Sequence, residues 1–273
     1  MRIAFIGGGN MARAVIGGLL AKDAAKAEEI MVVEPDASTR LRLLAEYGIK
    51  AVEAPVADLE HAHVVLMAVK PQNMREAAEQ LAPVAGDSLF ITIAAGIRVA
   101  DLGRWLGGKT RIVRCVPNTP ALVHAGVTGL FAPSGVSDND RLAAERLLGA
   151  VGATLWFAQE SDLDAVVAVS GSGPAYVFYA IEALEEAARE MGLAEGASRS
   201  LALWTFVGAT KLAIERGEEP AALRAQVTSR GGTTEAALRV LEAAGLKQHF
   251  IDAVRAARDR SVEMGDELGK DEA

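Results

Sequence analysis

The sequence has little of what several large classes of protein depend on. Cys115 is the only cysteine in 273 residues, which excludes intramolecular disulfides and favours a reducing compartment such as the cytoplasm. Aromatic residues make up 5%, acidic side chains outnumber basic ones by 36 to 28, and no Lys/Arg cluster is interleaved with aromatics. We therefore expect no nucleic-acid partner.

Long apolar runs and metal-binding spacings are also missing. The most apolar segment, residues 165–181, is interrupted by Ser170-Gly171-Ser172-Gly173-Pro174, which fits buried helices better than a membrane span. The first apolar run ends in glycines, unlike that of a signal peptide. The 4 histidines form neither an H-E-x-x-H motif nor a cluster with cysteine, so no metal site is predicted. We expect a soluble, cytoplasmic, globular protein without a membrane partner.

A glycine-rich turn follows the first apolar run. Residues 3–6 are typical of a buried strand, and Gly7, Gly9 and Ala12 occupy the small positions of a G-x-G-x-x-A pattern that leads into an apolar helical repeat. In this pattern the first glycine permits a tight turn, and the second lets the backbone approach a pyrophosphate at the helix N-terminus. We predict a dinucleotide site here; the alternative is a plain glycine-rich turn.

Strands alternate with helices over the first half of the chain. Further apolar runs cover residues 30–33, 64–69, 89–93 and 112–116. Such alternation is typical of a doubly wound parallel sheet, in which ligands bind outside the carboxyl ends of the strands. We expect three stretches that end strands to line the same crevice as Gly7 and Gly9: Lys70-Pro71, Ala94-Ala95-Gly96 and Pro117-Asn118-Thr119-Pro120.

Helical periodicity replaces strands from residue 161 onward. The predicted helices cover residues 174–191, 195–215, 221–227, 235–244 and 250–265, and the polar tail 266–273 is expected to fray. A helical domain this apolar is expected to bury part of its surface against a second subunit. The sequence thus predicts a dinucleotide-binding domain over residues 1–160 and an all-α domain over residues 161–273.

Two polar, glycine-rich stretches lie in the helical half, at residues 170–176 and 228–235. Each leads into a helix, so the simplest interpretation is a helix start with Ser or Thr as the cap. Glycines beside hydroxyl residues at a helix N-terminus also form an anion site, which suits a small carboxylate. Neither stretch is a G-x-S-x-G elbow, so a hydrolase is not favoured. We expect Cys115 to be a buried small residue rather than a nucleophile.

Together these stretches resemble the pyrroline-5-carboxylate reductase family over nearly the whole chain. The most specific are Ser170-Gly171-Ser172-Gly173-Pro174-Ala175-Tyr176 and Gly231-Gly232-Thr233-Thr234. The remaining matches are Phe5 to Ala12, Ala68-Val69-Lys70-Pro71, Ala94-Ala95-Gly96 and Arg114 to Pro120.

The resemblance implies a Rossmann-type domain, an all-α C-terminal dimerisation domain, and reduction of (S)-1-pyrroline-5-carboxylate to L-proline by NADPH or NADH. It implies an interlocked homodimer in which one subunit's loop faces the partner's nicotinamide, and dimers that commonly assemble into a decamer. The hydroxyl of Thr234 would bond the ring nitrogen as the catalytic group. The implied substrate residues are Ser229, Arg230, Gly231, Gly232, Thr233 and Thr234, and the backbone N–H groups from Ser229 to Thr233 would meet the substrate carboxylate. The implied cofactor residues are Ile6, Gly7, Gly8, Gly9, Asn10, Met11, Ala68, Val69, Lys70, Pro71, Ala94, Ala95 and Gly96.

Two positions depart from the family pattern. Arg230 replaces a proline found in many members; its side chain either attracts the substrate carboxylate or, as we favour, points to solvent. Glu34 follows the second strand, where an acidic residue bonds the ribose 2′-hydroxyl of NAD and opposes the 2′-phosphate of NADP. Arg40 lies one turn into the next helix and is a candidate to offset that charge. The resemblance to the family favours NADPH as the cofactor, whereas the charge of Glu34 permits or favours NADH.

Two other functions would share the N-terminal glycine pattern. A β-hydroxyacid dehydrogenase would need a lysine and an asparagine early in the helical domain, where this chain has Val177 and Ala180. A non-catalytic dinucleotide-binding regulator would not need the intact Gly231-Gly232-Thr233-Thr234 loop. Both are disfavoured.

Overall fold

The structure, a computed structural model, describes residues 1–270. Its first part is built on an eight-stranded sheet in the order β3-β2-β1-β4-β5-β6-β7-β8. Strands β1 to β6 are parallel, whereas β7 pairs antiparallel with β6 and parallel with β8. The strands are β1 Ile3–Ile6, β2 Ile30–Val33, β3 Ala51–Val52, β4 Val64–Met67, β5 Leu89–Thr92, β6 Ile112–Val116, β7 Gly126–Phe131 and β8 Gly152–Trp156.

The helices of this part are α1 Asn10–Ala21, α2 Ala37–Tyr47, α3 Met74–Leu81, α4 Val99–Trp105, α5 Asp138–Gly149 and α6 Asp162–Val166. Alternate residues of β1 enter two buried clusters, because successive side chains of a strand point to opposite faces. Ile3 and Phe5 pack in the cluster that contains α1, α2 and α5, and Ala4 and Ile6 in the cluster that contains α3 and α4. Helices therefore cover both faces of the sheet, and the predicted doubly wound α/β fold is confirmed.

Three strands were not predicted from the sequence. β3 has only two residues, and β7 contains Gly126 and Gly129, which weaken a strand signal. A Cβ on Gly126 or Gly129 would lie within 3.0 Å of neighbouring atoms, so close packing explains both glycines. β8 lies at the sheet edge and alternates half-buried with exposed residues.

The second half is helical, as predicted. A π-helical turn at Val167–Gly171 leads into α7 Gly173–Glu190, followed by α8 Glu195–Arg216, α9 Pro220–Gln226, α10 Thr233–Ala243 and α11 Leu246–Leu268. The predicted fraying of residues 266–273 is wrong for residues 266–268, which continue α11; residues 271–273 lie outside the described part. Within residues 1–270, no helix is both long enough and apolar enough to cross a membrane.

The chain forms two compact units. One comprises residues 1–172 together with the described residues from 257 onward, and the other comprises Gly173–Ala256. The predicted domain division after residue 160 stays a prediction. By its contacts, α6 belongs with the sheet, where it packs against β6 and β7. In the second unit several large apolar side chains are more than half exposed: Phe178, Tyr179, Trp204, Ile214 and Val240.

Candidate active site

The turn after β1 is held by backbone contacts that require glycine. Gly7 has a φ of +97°, a left-handed conformation that side-chain-bearing residues rarely adopt. Its N–H donates to the carbonyl of Val33 at 2.8 Å, and a Cβ on it would lie 2.8 Å from the carbonyl oxygen of Ala68. The N–H of Ala68 in turn donates to the carbonyl of Ile6 at 2.7 Å. Gly7 thus brings the ends of β1, β2 and β4 together.

Gly9 leaves an open cradle at the start of α1. It is exposed, and apart from its own local backbone no heavy atom of the described residues 1–270 lies within 4 Å of the point where a Cβ would be. No side chain caps this helix, and its first turn holds no acidic residue. The N–H groups at Asn10 and Met11 therefore lack intrahelical partners and add to the positive end of the helix dipole. This cradle, which a side chain would fill, fits the pyrophosphate of a dinucleotide.

Glu34, directly after β2, is fixed beside the same turn. Its Oε2 accepts the N–H of Gly8 at 2.8 Å, and its Oε1 accepts the N–H of Asp36 at 2.9 Å. A Cβ on Gly8 would lie 2.8 Å from Leu43 Cδ1 and 3.4 Å from Glu34 Oε2, so this glycine is needed for space. This is the carboxylate predicted to meet the ribose of a bound dinucleotide.

Arg40 does not lie across the Glu34 carboxylate. Its Nη1 donates to the carbonyls of Glu34 and Pro35 at 2.8 and 2.6 Å, and its Nη2 lies 3.7 Å from Glu53 Oε2.

A second acidic group lies nearby at the start of α2. Asp36 Oδ2 accepts from the Ser38 hydroxyl at 2.6 Å and from the Thr39 N–H at 2.7 Å, and these bonds lower the pKa of Asp36 to about 2. The ribose end of the predicted site therefore carries negative charge.

The other predicted cofactor stretches follow β4 and β5. Lys70 is exposed, and Thr92 Oγ1 accepts the N–H of Ala94 at 3.3 Å. Gly96 has a φ of +76°. Because β1, β2, β4 and β5 are adjacent and parallel, the structure brings all predicted cofactor residues to one edge of the sheet. These residues are Ile6, Gly7, Gly8, Gly9, Asn10, Met11, Glu34, Ala68, Val69, Lys70, Pro71, Ala94, Ala95 and Gly96, and their roles stay predictions.

Asn118 connects two of the stretches singled out in the sequence. Its Nδ2 donates to the carbonyl of Ser170 at 3.0 Å, and its Oδ1 accepts the N–H of Val127 at 2.9 Å. In a regular helix the Ser170 carbonyl would accept the N–H of residue 174, but Pro174 has none. The Asn118 amide therefore supplies the donor that the proline removes, next to the π-helical turn, where the N–H of Ser172 bonds the carbonyl of Val167.

The predicted substrate loop lies in the second unit and begins α10. Gly231 has a φ of +73°, and Gly232, which has no side chain to act as a cap, donates its N–H to the Ser229 carbonyl at 3.0 Å. Thr233 and Thr234 form the first turn, so their N–H groups have no intrahelical partner. Thr234 is half-buried, whereas Ser229 and Arg230 are exposed. This arrangement can bind a small anion, although the roles of these residues stay predictions.

Glu235 ends the glycine-rich stretch 228–235, but no role in the site was predicted for it from the sequence. Its Oε2 accepts the N–H of Gly231 at 2.8 Å and lies 3.8 Å from Arg239 Nη2. An acidic residue three places after a helix N-cap commonly reaches back to the N-cap N–H, and here it reaches one residue further, to Gly231. That spacing is the signal that could have found it. The Glu235 carboxylate thus already accepts the N–H of Gly231, which is one of the N–H groups predicted to meet the substrate.

Cys115 is fully buried on β6, and burial raises the pKa of its thiol. A thiol that stays protonated is a poor nucleophile, in agreement with the expectation from the sequence.

Sequence comparisons identify relatives for both parts of the chain. A family model described as pyrroline-5-carboxylate reductase dimerisation matches residues 160–264, and one described as NADP oxidoreductase coenzyme F420-dependent matches residues 2–96. The pyrroline-5-carboxylate reductase of Pseudomonas aeruginosa is 43% identical over 270 residues, covering 98% of each chain. That of Haemophilus influenzae is 45% identical over 264 residues, covering 96% of this chain and 97% of the relative.

Solved structures agree with these matches. A pyrroline-5-carboxylate reductase from Coxiella burnetii superposes with a TM-score of 0.90 at 39% identity, covering 96% of this chain and 98% of the other. Plasmodium falciparum pyrroline carboxylate reductase with NADP bound gives 0.86 at 26% identity, covering 97% and 98%. The expected NAD(P)H-dependent oxidoreductase and homo-oligomerising helical domain are thus confirmed. The glycine turn, the doubly wound sheet and the full-length matches together place this chain in the pyrroline-5-carboxylate reductase family.

Proposed function

We propose that this chain reduces (S)-1-pyrroline-5-carboxylate to L-proline, the last step of proline biosynthesis. The observation that carries the proposal is the open Gly9 cradle at the start of α1, in a chain 43% identical over 98% of its length to a pyrroline-5-carboxylate reductase. When bound, NADH or NADPH supplies the hydride. The ring carbon of the C=N bond gains this hydride, and the ring nitrogen carries the proton, which gives the secondary amine of proline.

The chain's own residues have little acid–base work to do. A protonated imine is already electrophilic, so alignment at reacting distance supplies much of the acceleration. The N–H groups of Thr233 and Thr234, at the start of α10, are suited to hold the substrate carboxylate. The hydroxyl of Thr234 is suited to orient the ring nitrogen. Ser229, Gly231 and Gly232 shape the loop, and the exposed Arg230 points to solvent.

For the cofactor we propose that NADH serves at least as well as NADPH. Glu34, fixed by two N–H donors, lies at the ribose end together with the ionised Asp36. A carboxylate about 4 Å from a 2′-phosphate would cost roughly 1–4 kcal/mol per unit charge. Arg40 does not offset this charge, because it donates to two backbone carbonyls and pairs with Glu53. The NADP-bound Plasmodium falciparum relative supports NADPH use within the same fold.

The proposed assembly is a homodimer, with association of dimers into a decamer as the larger form. The exposed Phe178, Tyr179, Trp204 and Ile214 on α7 and α8 support the dimer, because so large an apolar surface is unfavourable in water. The site is proposed to take the cofactor from one subunit and the substrate loop from its partner. We propose a cytoplasmic location, which the single buried thiol suits.

The test is an assay of cofactor oxidation with the five-membered imine, run separately with NADH and NADPH and followed by measurement of proline. We expect one proline formed for each cofactor oxidised, and kcat/KM with NADH equal to or above that with NADPH. Cofactor binding without imine-dependent oxidation would favour a regulator instead. A strong NADPH preference would contradict the role given to Glu34 and leave the reaction intact.

A further inference from the structure

The sheet contains one buried cation whose presence the core does not explain. Arg114 on β6 is 2% exposed, and its neighbours in the sheet are Thr92 of β5 and Phe131 of β7. Taking a guanidinium out of water is costly unless it is paired and hydrogen-bonded. An apolar residue of similar volume at such a position is often as stable or more so. Core packing alone therefore does not account for Arg114.

The guanidinium of Arg114 has two carboxylate neighbours and one nitrogen without a hydrogen bond in the described part of the chain. Its Nη1 donates to Glu160 Oε1 at 3.1 Å, and its Nη2 lies 3.9 Å from Asp164 Oδ1. Its Nε has no hydrogen-bond partner within residues 1–270. Both carboxylates lie at the start of α6, so the guanidinium ties β6 to that helix.

Glu160 extends the connection to the predicted cofactor loop. The same Oε1 that faces Arg114 accepts the N–H of Val99 at 2.8 Å. Val99 is the first residue of α4, three residues after Gly96, with which the loop Ala94-Ala95-Gly96 ends. No side chain of the N-cap residue Arg98 bonds this helix start, so the Glu160 carboxylate acts as its cap from another element.

The end of α11 holds the same segment from a second direction. Ser261 donates its hydroxyl to Asp164 Oδ1 at 2.8 Å, and Arg98 pairs with Asp266 at 2.6 Å. A Cβ on Gly96 would lie 3.0 Å from Leu268 Cδ1, and Arg104 donates to the carbonyl of Gly269 at 3.0 Å. Residues 96–104 are thus held by Glu160 at the helix start and by residues 266–269 along their length.

We infer that Arg114 and Glu160 are positioning residues. They fix the loop Ala94-Ala95-Gly96 in the position from which it contacts the dinucleotide. Neither is among the residues predicted to bind the substrate or the cofactor, and both act through the N–H of Val99. The buried guanidinium keeps the Glu160 carboxylate in one place, and that carboxylate sets where α4 begins. The inference rests on the proposed function, since it takes this loop as part of the cofactor site.

The test uses Glu160→Gln in the full chain, with Glu145→Gln as the matched control, because the Glu145 carboxylate instead accepts from Trp156 Nε1. Glutamine still accepts the Val99 N–H but leaves Arg114 with Asp164, 3.9 Å away, as its remaining charge partner. We expect the Kd for NADH, measured by its fluorescence without imine, to rise roughly threefold to tenfold, because a loop displaced by a fraction of an ångström loses cofactor contacts. Amide hydrogen exchange should quicken over residues 94–99 and stay unchanged in α1. Arg114→Lys retains the positive charge. Its Kd for NADH and its exchange rate over residues 94–99 should therefore lie between those of the parent and those of Glu160→Gln.

A variant with a lower Tm but the parental Kd and parental exchange at residues 94–99 would overturn the inference and leave Arg114 a purely structural residue. Neither readout needs turnover. If the parent failed to reduce the imine, the proposed function would be refuted, but the Kd and exchange measurements would still decide this inference.

Discussion

At the scale of single residues, Gly9 is the position where a substitution should abolish cofactor binding without lowering the stability of the fold. Its φ of −67° is allowed to any residue, and the space around it is open. Gly9→Asp would place an N-cap carboxylate on α1, which stabilises a helix by about 0.5 kcal/mol relative to glycine. The same charge would repel a pyrophosphate. We expect an unchanged or slightly raised Tm together with loss of NADH binding, measured by thermal denaturation and fluorescence titration.

Gly7→Ala is the matched contrast, because its Cβ would meet the Ala68 carbonyl oxygen at 2.8 Å in a left-handed conformation. That variant should be destabilised by at least about 1 kcal/mol. If Gly9→Asp bound NADH as the parent does, the pyrophosphate would not lie at this helix start.

Thr234 is the residue on which substrate orientation is proposed to depend. Thr234→Ala removes the hydroxyl from a half-buried position in the first turn of α10 while keeping the backbone N–H groups. We expect kcat/KM for the imine to fall at least about tenfold, as for loss of a hydrogen bond to a charged group, with the Kd for NADH unchanged. Thr234→Ser should recover most of the loss. Equal kinetics in Thr234→Ala and the parent would remove this hydroxyl from the mechanism.

Glu235 gives the opposite expectation for the same loop. Its carboxylate holds the Gly231 N–H at 2.8 Å, where it competes with and repels an anionic substrate. Glu235→Gln keeps an acceptor but removes the charge, so KM for the imine should fall by about threefold or more. Glu242→Gln, a change of equal charge on the same helix, serves as the control. A raised KM in Glu235→Gln alone would mean that Glu235 helps to build the substrate site.

At the scale of elements, the link between Asn118 and the π-helical turn can be tested by a double-mutant cycle. Asn118→Ala leaves the Ser170 carbonyl and the Val127 N–H without their partner and should cost about 1–3 kcal/mol of unfolding free energy. Pro174→Ala restores an N–H at residue 174. In that background the cost of Asn118→Ala should be smaller by about 1 kcal/mol, measured by urea unfolding at one protein concentration. Additive costs would show that the proline does not create the need for Asn118.

The elements also show where sequence reasoning works and where it stops. Continuous apolar runs predicted β1, β2, β4, β5 and β6, because strands buried on both faces need apolar residues throughout. β7 and β8 were missed, because Gly126 and Gly129 serve close packing and β8 is a half-exposed edge. The G-x-G-x-x-A pattern predicted the cradle since it is local in sequence.

Contacts between distant segments leave no local pattern, and those were not predicted. Glu160 bonds a residue 61 positions away, and Asn118 bonds one 52 positions away. The sequence also could not predict the partners of Arg40. Whether its side chain bonds the Glu34 carboxylate or nearby backbone carbonyls depends on the path of the chain after β2.

At the scale of the whole molecule, cofactor binding and substrate binding are proposed to lie in two different parts of the chain. The first unit presents the glycine cradle, and the second offers the loop at residues 228–234 together with a large exposed apolar surface. If that surface is the dimer interface and the loop serves the partner's cofactor, each active site needs both subunits.

The most direct measurement of this division is the activity of a mixed dimer. Gly9→Asp and Thr234→Ala chains carrying different tags are co-expressed, and the dimers that contain both are isolated by two successive affinity steps. One site of such a dimer combines an intact cradle with an intact loop, so activity should reach about half of the parental rate per dimer. Activity no greater than the mean of the two separate variants, in a dimer of verified composition, would contradict the account.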